Sequence, residues 1–136
     1  MGWKTYHQVT TELSPGEWVY ENLQSYVITH RACPSADNIT FTSADPCSLV
    51  EKLKAKEGRD IWICGGADIV RQLMEQNLID VYRISVIPTI LGGGIRLFPH
   101  CGKEIKLRLA AVSSSNGITE LIYQKNVEAN AKKPLT

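Results

Sequence analysis

The run Ile61-Trp62-Ile63-Cys64-Gly65-Gly66 constrains this chain more than any other stretch. Four apolar residues, two of them β-branched, read as a short buried strand in a parallel sheet. Two glycines follow at once, and Ala67 to Asn77 then carries Ile69, Val70, Leu73 and Met74 at helical spacing. A strand that passes through glycines straight into a helix is half of a βαβ crossover. Glycine lets the backbone come close to a ligand, and the helix start presents unpaired N–H groups at its positive dipole end. Such a junction is either a tight turn that needs small residues or a phosphate site at the carboxyl end of a strand. It has neither the G-x-G-x-x-G order of a dinucleotide fingerprint nor a Gly-Lys-Ser/Thr phosphate loop.

The flanking sequence continues the alternation. Tyr26 to Thr29 and Asn38 to Thr42 read as strands. Asp45-Pro46 opens a helix, with Asp as N-cap and Pro in the first turn; Leu49, Val50 and Leu53 form its apolar face and Gly58 ends it. Val81 to Pro88 is the next strand. The last third changes character: Lys106 to Val112 and Ile118 to Gln124 alternate around a turn at Ser113 to Gly117, which predicts an antiparallel hairpin at one sheet edge. Strand and helix in turn, then a hairpin, mean one α/β domain over residues 1–125, with a polar tail over 126–136.

Composition narrows the function classes. The chain has 136 residues, enough for one hydrophobic core. Fifteen Lys and Arg balance fourteen Asp and Glu, which supplies no electrostatic footprint for nucleic acid or an anionic membrane. No apolar run approaches the roughly 18 to 20 residues that span a bilayer. The opening Met1-Gly2-Trp3-Lys4-Thr5 lacks the basic and apolar regions of a signal peptide. Cys33, Cys47, Cys64 and Cys101 show no C-x-x-C spacing and read as reduced thiols in a cytoplasmic protein. His7, His30 and His100 have no metal-ligand spacing, and no G-x-S-x-G elbow is present.

Several smaller features carry two readings each. Thr29-His30-Arg31, just past a strand end, either holds a phosphate through the guanidinium or is a solvated loop. Gly2-Trp3-Lys4-Thr5 either opens a helix or is a solvated chain end. Cys64 beside a helix start is a candidate nucleophile or a small buried strand-end residue, the commoner fate of a free cysteine. Asp68 most simply complements the helix dipole, and Asp80 caps or turns the chain before the next strand. Gly92-Gly93-Gly94 reads as a structural turn after an apolar strand.

Taken in order, these segments resemble the dihydrofolate reductase superfamily, and within it the bacterial proteins related to the reductase (C-terminal) domain of riboflavin biosynthesis. The matching stretches are Met1-Gly2-Trp3-Lys4-Thr5-Tyr6 (the family's M-G-R-K-T-Y), Glu17-Trp18-Val19-Tyr20 (similar to its W-P-Y) and Tyr26 to Arg31. The longest runs from Ile61 to Asp68, through Leu78-Ile79-Asp80 to Pro88, and on to Leu91-Gly92-Gly93-Gly94-Ile95-Arg96-Leu97-Phe98. The resemblance implies a three-layer α/β/α fold around a mixed sheet, mostly parallel, with a C-terminal antiparallel hairpin. It implies NADPH as hydride donor, a pterin-like or pyrimidine-like substrate and a homodimer.

Carried over position by position, the resemblance puts Gly2, Lys4 and Thr5 at a helix start facing the cofactor phosphates. Thr29, His30 and Arg31 flank the adenosine 2′-phosphate, with Arg31 selecting NADPH over NADH. Gly65, Gly66, Ala67, Asp68 and Ile69 wrap the pyrophosphate, and Cys64 lies near the nicotinamide. Trp3 replaces the family's Arg, and Cys64 stands where riboflavin reductases carry a substrate-binding Glu, which argues against that specific activity. The resemblance implies that family members carry roughly 35 to 45 further residues before this Met-Gly, a length in keeping with usual domain sizes. The expectation is therefore an N-terminally truncated reductase domain. Its alternative is an inactive NADPH-binding remnant or assembly domain that lacks the N-terminal catalytic segment.

Overall fold

A computed structural model describes residues 1–100 and 102–126. The chain divides into two compact units: Met1–Leu78 with Leu97–Pro99, and Ile79–Arg96 with the described residues from His100 onward.

The first unit contains α1 (Trp3–Gln8), a π-helical turn (Val9–Leu13), β1 (Ser25–Ile28), β2 (Ile39–Thr42), α2 (Pro46–Lys54) and α3 (Ala67–Glu75). β1 and β2 pair in parallel, with Ser25 opposite Ile39 and Ile28 opposite Thr42. Alternation in β1 buries Ser25 and Val27 while Tyr26 and Ile28 stay half-buried. α2 starts where Asp45 and Pro46 predict it, because the Asp45 carboxylate accepts a 2.8 Å bond from Ser48 N. That backbone bond holds the Asp45 carboxyl below the usual carboxylate range. α3 buries Ile69, Leu73 and Met74, one stripe of a helix, and just past its end at Glu75 the positive φ of 57° at Asn77 turns the chain away. Val27 and Leu73, fully buried, lie at the centre of a core that also takes in Val9, Ile39 and Val50.

The second unit contains β3 (Val81–Val86), β4 (Leu107–Ser115) and β5 (Ile118–Lys125), in the order β3-β5-β4 with both ladders antiparallel. Asn116 and Gly117 make a two-residue turn with φ of 52° and 78°, the left-handed pair that matches strand twist in a tight hairpin. β4 thus runs to Ser115, three residues past the expected strand end at Val112. A bulge interrupts β4 between Leu109 and Ala111.

The chain is mixed α/β, with a parallel sheet in one unit and an antiparallel sheet in the other. One expected strand is corrected. Residues 61–64 form no strand, and Ile61 and Trp62 are 38% and 62% exposed. An apolar run becomes a strand only where a neighbouring backbone completes its ladder, and among the described residues none pairs with it. The open reading of Gly2 to Thr5 resolves as the start of α1. Cys33, Cys47 and Cys64 are free thiols; Cys101 and the 127–136 part of the expected tail lie outside the described residues. Among the described residues no helix is long and apolar enough to cross a membrane.

Leu73 is 1% exposed. Leu73→Ala is expected to destabilise the chain by about 2–5 kcal/mol, read as a lower urea midpoint. The half-exposed Val19→Ala should stay within about 0.5 kcal/mol of the parent.

Candidate functional site

The candidate site is assembled where the chain enters the first unit. Met1 lies along β1: its α-amino group donates to Tyr26 O at 2.8 Å, and Ile28 N donates to Met1 O at 2.9 Å. On the other side Gly2 N donates to Gly65 O at 2.9 Å. A single backbone thus ties β1 to the glycine corner before α3. Gly2 suits that position because a Cβ there would stand 3.2 Å from Ile69 Cδ1.

The corner itself is Gly65-Gly66, joined by a cis peptide, with Gly65 at a φ of +119° that favours glycine. Thr5 on α1 turns its hydroxyl toward it: a Cβ on Gly66 would lie 3.5 Å from Thr5 Oγ1. α3 begins immediately, with Gly66 as an extended N-cap and no side chain over its first amides. Those of Ala67, Asp68 and Ile69 are therefore donors at the positive end of the helix. The Asp68 carboxylate is bound along the helix instead, by Arg71 Nη2 and Gln72 Nε2, both at 2.8 Å. The Arg71 bond, with that from Gln72, holds its carboxyl below the ordinary range. Ile69 contributes only its backbone, since its side chain is in the core.

A second cluster lies at the carboxyl end of β1. Thr29 is buried, and its hydroxyl accepts from Arg31 N at 3.1 Å, which closes the turn rather than facing a ligand. Arg31 lies over the Trp3 indole, its guanidinium carbon 5.0 Å from the ring centroid. Stacking of this kind engages the flat face of the guanidinium and leaves its in-plane donors for an anion. Trp3, Lys4, His7, Gln8, Glu12 and Arg31 line an open depression of about 460 Å³ here. Lys4 and Arg31 bring two positive charges against the one carboxylate of Glu12, which favours an anionic occupant. His30 is exposed beside it.

An aromatic row connects the two clusters. Trp3 meets Tyr6 at 5.6 Å between centroids, Tyr6 meets Trp18 at 5.4 Å, Trp18 meets Tyr20 at 5.1 Å and Tyr20 meets Trp62 at 5.2 Å. Edge-on contacts within it favour the ring quadrupoles. At its end Tyr20 Oη lies 3.7 Å from Cys64 Sγ. Desolvation, reinforced by the Cys64 contact, pushes the Tyr20 hydroxyl above its usual pKa. Trp18 Nε1 is buried and finds no partner among the described residues. Trp18 and Tyr20 were visible in the sequence only as part of a W-x-Y match, with no role attached.

The structure therefore brings Gly2, Thr5, Gly65, Gly66 and Ala67 together, and sets Lys4 beside Arg31 through Trp3. Gly65→Ala is expected to cost about 1–3 kcal/mol because an L side chain is strained at its φ. Gly66→Ala, at an ordinary negative φ, should cost less; paired urea melts read the difference.

The RibD C-terminal domain family matches residues 7–122. The uncharacterized protein YwjB of Bacillus subtilis (strain 168) is 35% identical over 124 residues, which cover 90% of this chain and 70% of YwjB. The uncharacterized protein YyaP of the same organism is 30% identical over 104 residues, 76% of this chain and 55% of YyaP. A crystal structure described provisionally as a riboflavin biosynthesis protein from Shewanella sp. PV-4 superposes with a TM-score of 0.79 at 20% identity, covering 93% of this chain and 72% of that one. With that fold and that match over most of its length, the chain belongs to the RibD C-terminal domain family, a dihydrofolate-reductase-like reductase family.

Proposed function

We propose that this chain is an NADPH-dependent reductase domain that transfers a hydride to a pterin-like or pyrimidine-like substrate. The observation that carries the reading is the uncapped start of α3, held by Gly2 beside the Gly65-Gly66 corner with Thr5 Oγ1 facing it. That arrangement fits a diphosphate: backbone donors at a positive helix end, a hydroxyl across from them, and no side chain between.

The second anionic group of the cofactor falls to the basic depression. Lys4 supplies a compact charge, and Arg31 supplies paired donors whose plane is set by its stack on Trp3. The bound nicotinamide supplies the hydride, so the protein needs no covalent group of its own. Orientation is the protein's part in this chemistry. The aromatic row gives rigid flat surfaces from Trp3 to Trp62, and Cys64 with Tyr20 closes its far end.

Binding without turnover is the second reading. Cys64 favours it, because the thiol meets Tyr20 Oη where a substrate-binding carboxylate is the family's usual group. Consumption of reduced cofactor over a panel of pterins and pyrimidines separates the two.

Arg31→Ala is expected to weaken NADPH about tenfold or more, the scale of a charge-assisted contact, while leaving NADH within about twofold. Fluorescence titration of the two cofactors reads both constants. Equal loss for both would remove the 2′-phosphate role from Arg31. No saturable binding by the folded parent chain would overturn the cofactor assignment itself.

A further inference from the structure

We propose that Trp3 is a specificity-determining positioning residue. It acts through Arg31, holding the guanidinium so that NADPH is told from NADH by geometry more than by charge. The inference rests on the cofactor reading above and deepens it at the basic depression.

Charge alone discriminates poorly there. Among the lining residues Lys4 and Glu12 carry opposite charges, which leaves the Arg31 guanidinium as the net cation. All three are exposed. Exposed charges are screened by salt and hold their partners weakly. A free arginine side chain must also give up rotamer freedom when it takes hold of an anion. Preparation strengthens such a contact: a planar fork already held where two N–H groups reach two phosphate oxygens.

Arg31 is prepared at both ends. Its backbone is tied to the end of β1, where its amide donates to Thr29 Oγ1 at 3.1 Å and Thr29 N donates to Thr42 O at 2.8 Å. Its tip is held by Trp3, with the guanidinium carbon 5.0 Å from the ring centroid. Among the described residues no carboxylate pairs with it, so its N–H edge is not already committed to an anion of the protein.

Trp3 is itself braced. It is the first residue of α1, and its indole meets Tyr6 at 5.6 Å, His7 at 6.0 Å and Phe41 at 6.4 Å between centroids. Tyr6 and Phe41 meet each other edge-on at 5.2 Å. Trp3, Tyr6 and Phe41 thus close a triangle of rings that joins α1 to β2. The indole cannot turn away from Arg31 without opening that triangle, so the support is as fixed as the packing between the two elements. NADPH and NADH differ only in the 2′-phosphate. Trp3 carries no charge, so its effect on that difference passes through the guanidinium.

The test titrates NADPH and NADH against the full chain and its variants, each checked for folding by a urea melt. Trp3→Leu is expected to weaken NADPH about three- to tenfold and NADH less than about twofold. Trp3→Phe, which keeps a ring face, should stay within about twofold of the parent for both. Arg31→Lys, which keeps the charge and loses the fork, should weaken NADPH about threefold or more. In an Arg31→Ala background, Trp3→Leu should change NADPH by less than about twofold, a coupling that a merely structural role would not produce. Proton NMR of the ligand-free chain reads the stack itself, since the indole ring current should move the Arg31 side-chain protons upfield in the parent. Should Trp3→Leu fail to fold, Arg31→Lys and that upfield shift decide. Equal weakening of both cofactors in Trp3→Leu, or a loss that persists in the Arg31→Ala background, would overturn the proposal and leave the cofactor reading standing. So would full NADPH preference in Arg31→Lys, or no upfield shift in the parent. No saturable binding of either cofactor by the folded parent would remove the cofactor reading, and this proposal with it.

Discussion

The candidate site depends on three backbone hydrogen bonds made by Met1 and Gly2. One residue pair holds β1 on one side and the glycine corner on the other, at 2.8 to 2.9 Å throughout. Without them α1, β1 and α3 share only side-chain packing, and the uncapped amides of α3 have no fixed relation to Thr5 or Arg31. Backbone bonds are well suited to this task because they have little rotamer freedom and set spacing to a few tenths of an ångström. Glycine follows from the same demand. At Gly2 a side chain would press on Ile69, and at Gly65 the backbone adopts a φ that L residues avoid.

Charge is distributed over this frame in two different ways. At α3 the attraction for an anion comes from amides and a dipole, and the one nearby carboxylate, Asp68, is committed to Arg71 and Gln72. At the end of β1 it comes from the side chains of Lys4 and Arg31, and Arg31 has a support in Trp3. Trp3 thereby exchanges one function for another. Relative to the family's arginine it loses a charge, and it gains a flat surface that restricts a neighbouring guanidinium. The aromatic row extends that surface through the unit, so that the Arg31 end and the Cys64 end share one continuous packing element.

Local chemistry was legible in the sequence. Asp45-Pro46 is a helix start whatever surrounds it, since the cap bond to Ser48 closes within a single turn. The helix expected over Ala67 to Asn77 is a similar case, ending at Glu75, while the turn expected over Ser113 to Gly117 narrows to Asn116-Gly117. Residues 61–64 were not legible in this way, because a strand is a property of two backbones and the sequence shows only one. The site divides along the same line. The glycine corner and helix start were visible locally, whereas the approach of Gly2 and Thr5 to it rested on resemblance. Of the Trp3–Tyr6–Trp18–Tyr20–Trp62 row, only the neighbours on α1 and the Trp18–Tyr20 pair are close in the chain; the contacts that join them to each other and to Trp62 were not visible.

The bulge in β4 carries a consequence for the second unit. Leu109 pairs with Tyr123 and Val112 with Leu121, so these two β4 residues share one face although their separation is odd. In a regular strand they would point to opposite faces. Across β5, Tyr82 and Ile84 pair with the same Tyr123 and Leu121, which extends that apolar face over all three strands. The extra residue at Ala110 thus acts as a phase correction between two halves of β4. Its loss would restore a straight ladder with the same side chains on the same face. This strand can therefore differ by one residue in length at that point and keep its pattern, whereas a deletion elsewhere between the hairpin turn and Leu107 would put half of β4 out of phase.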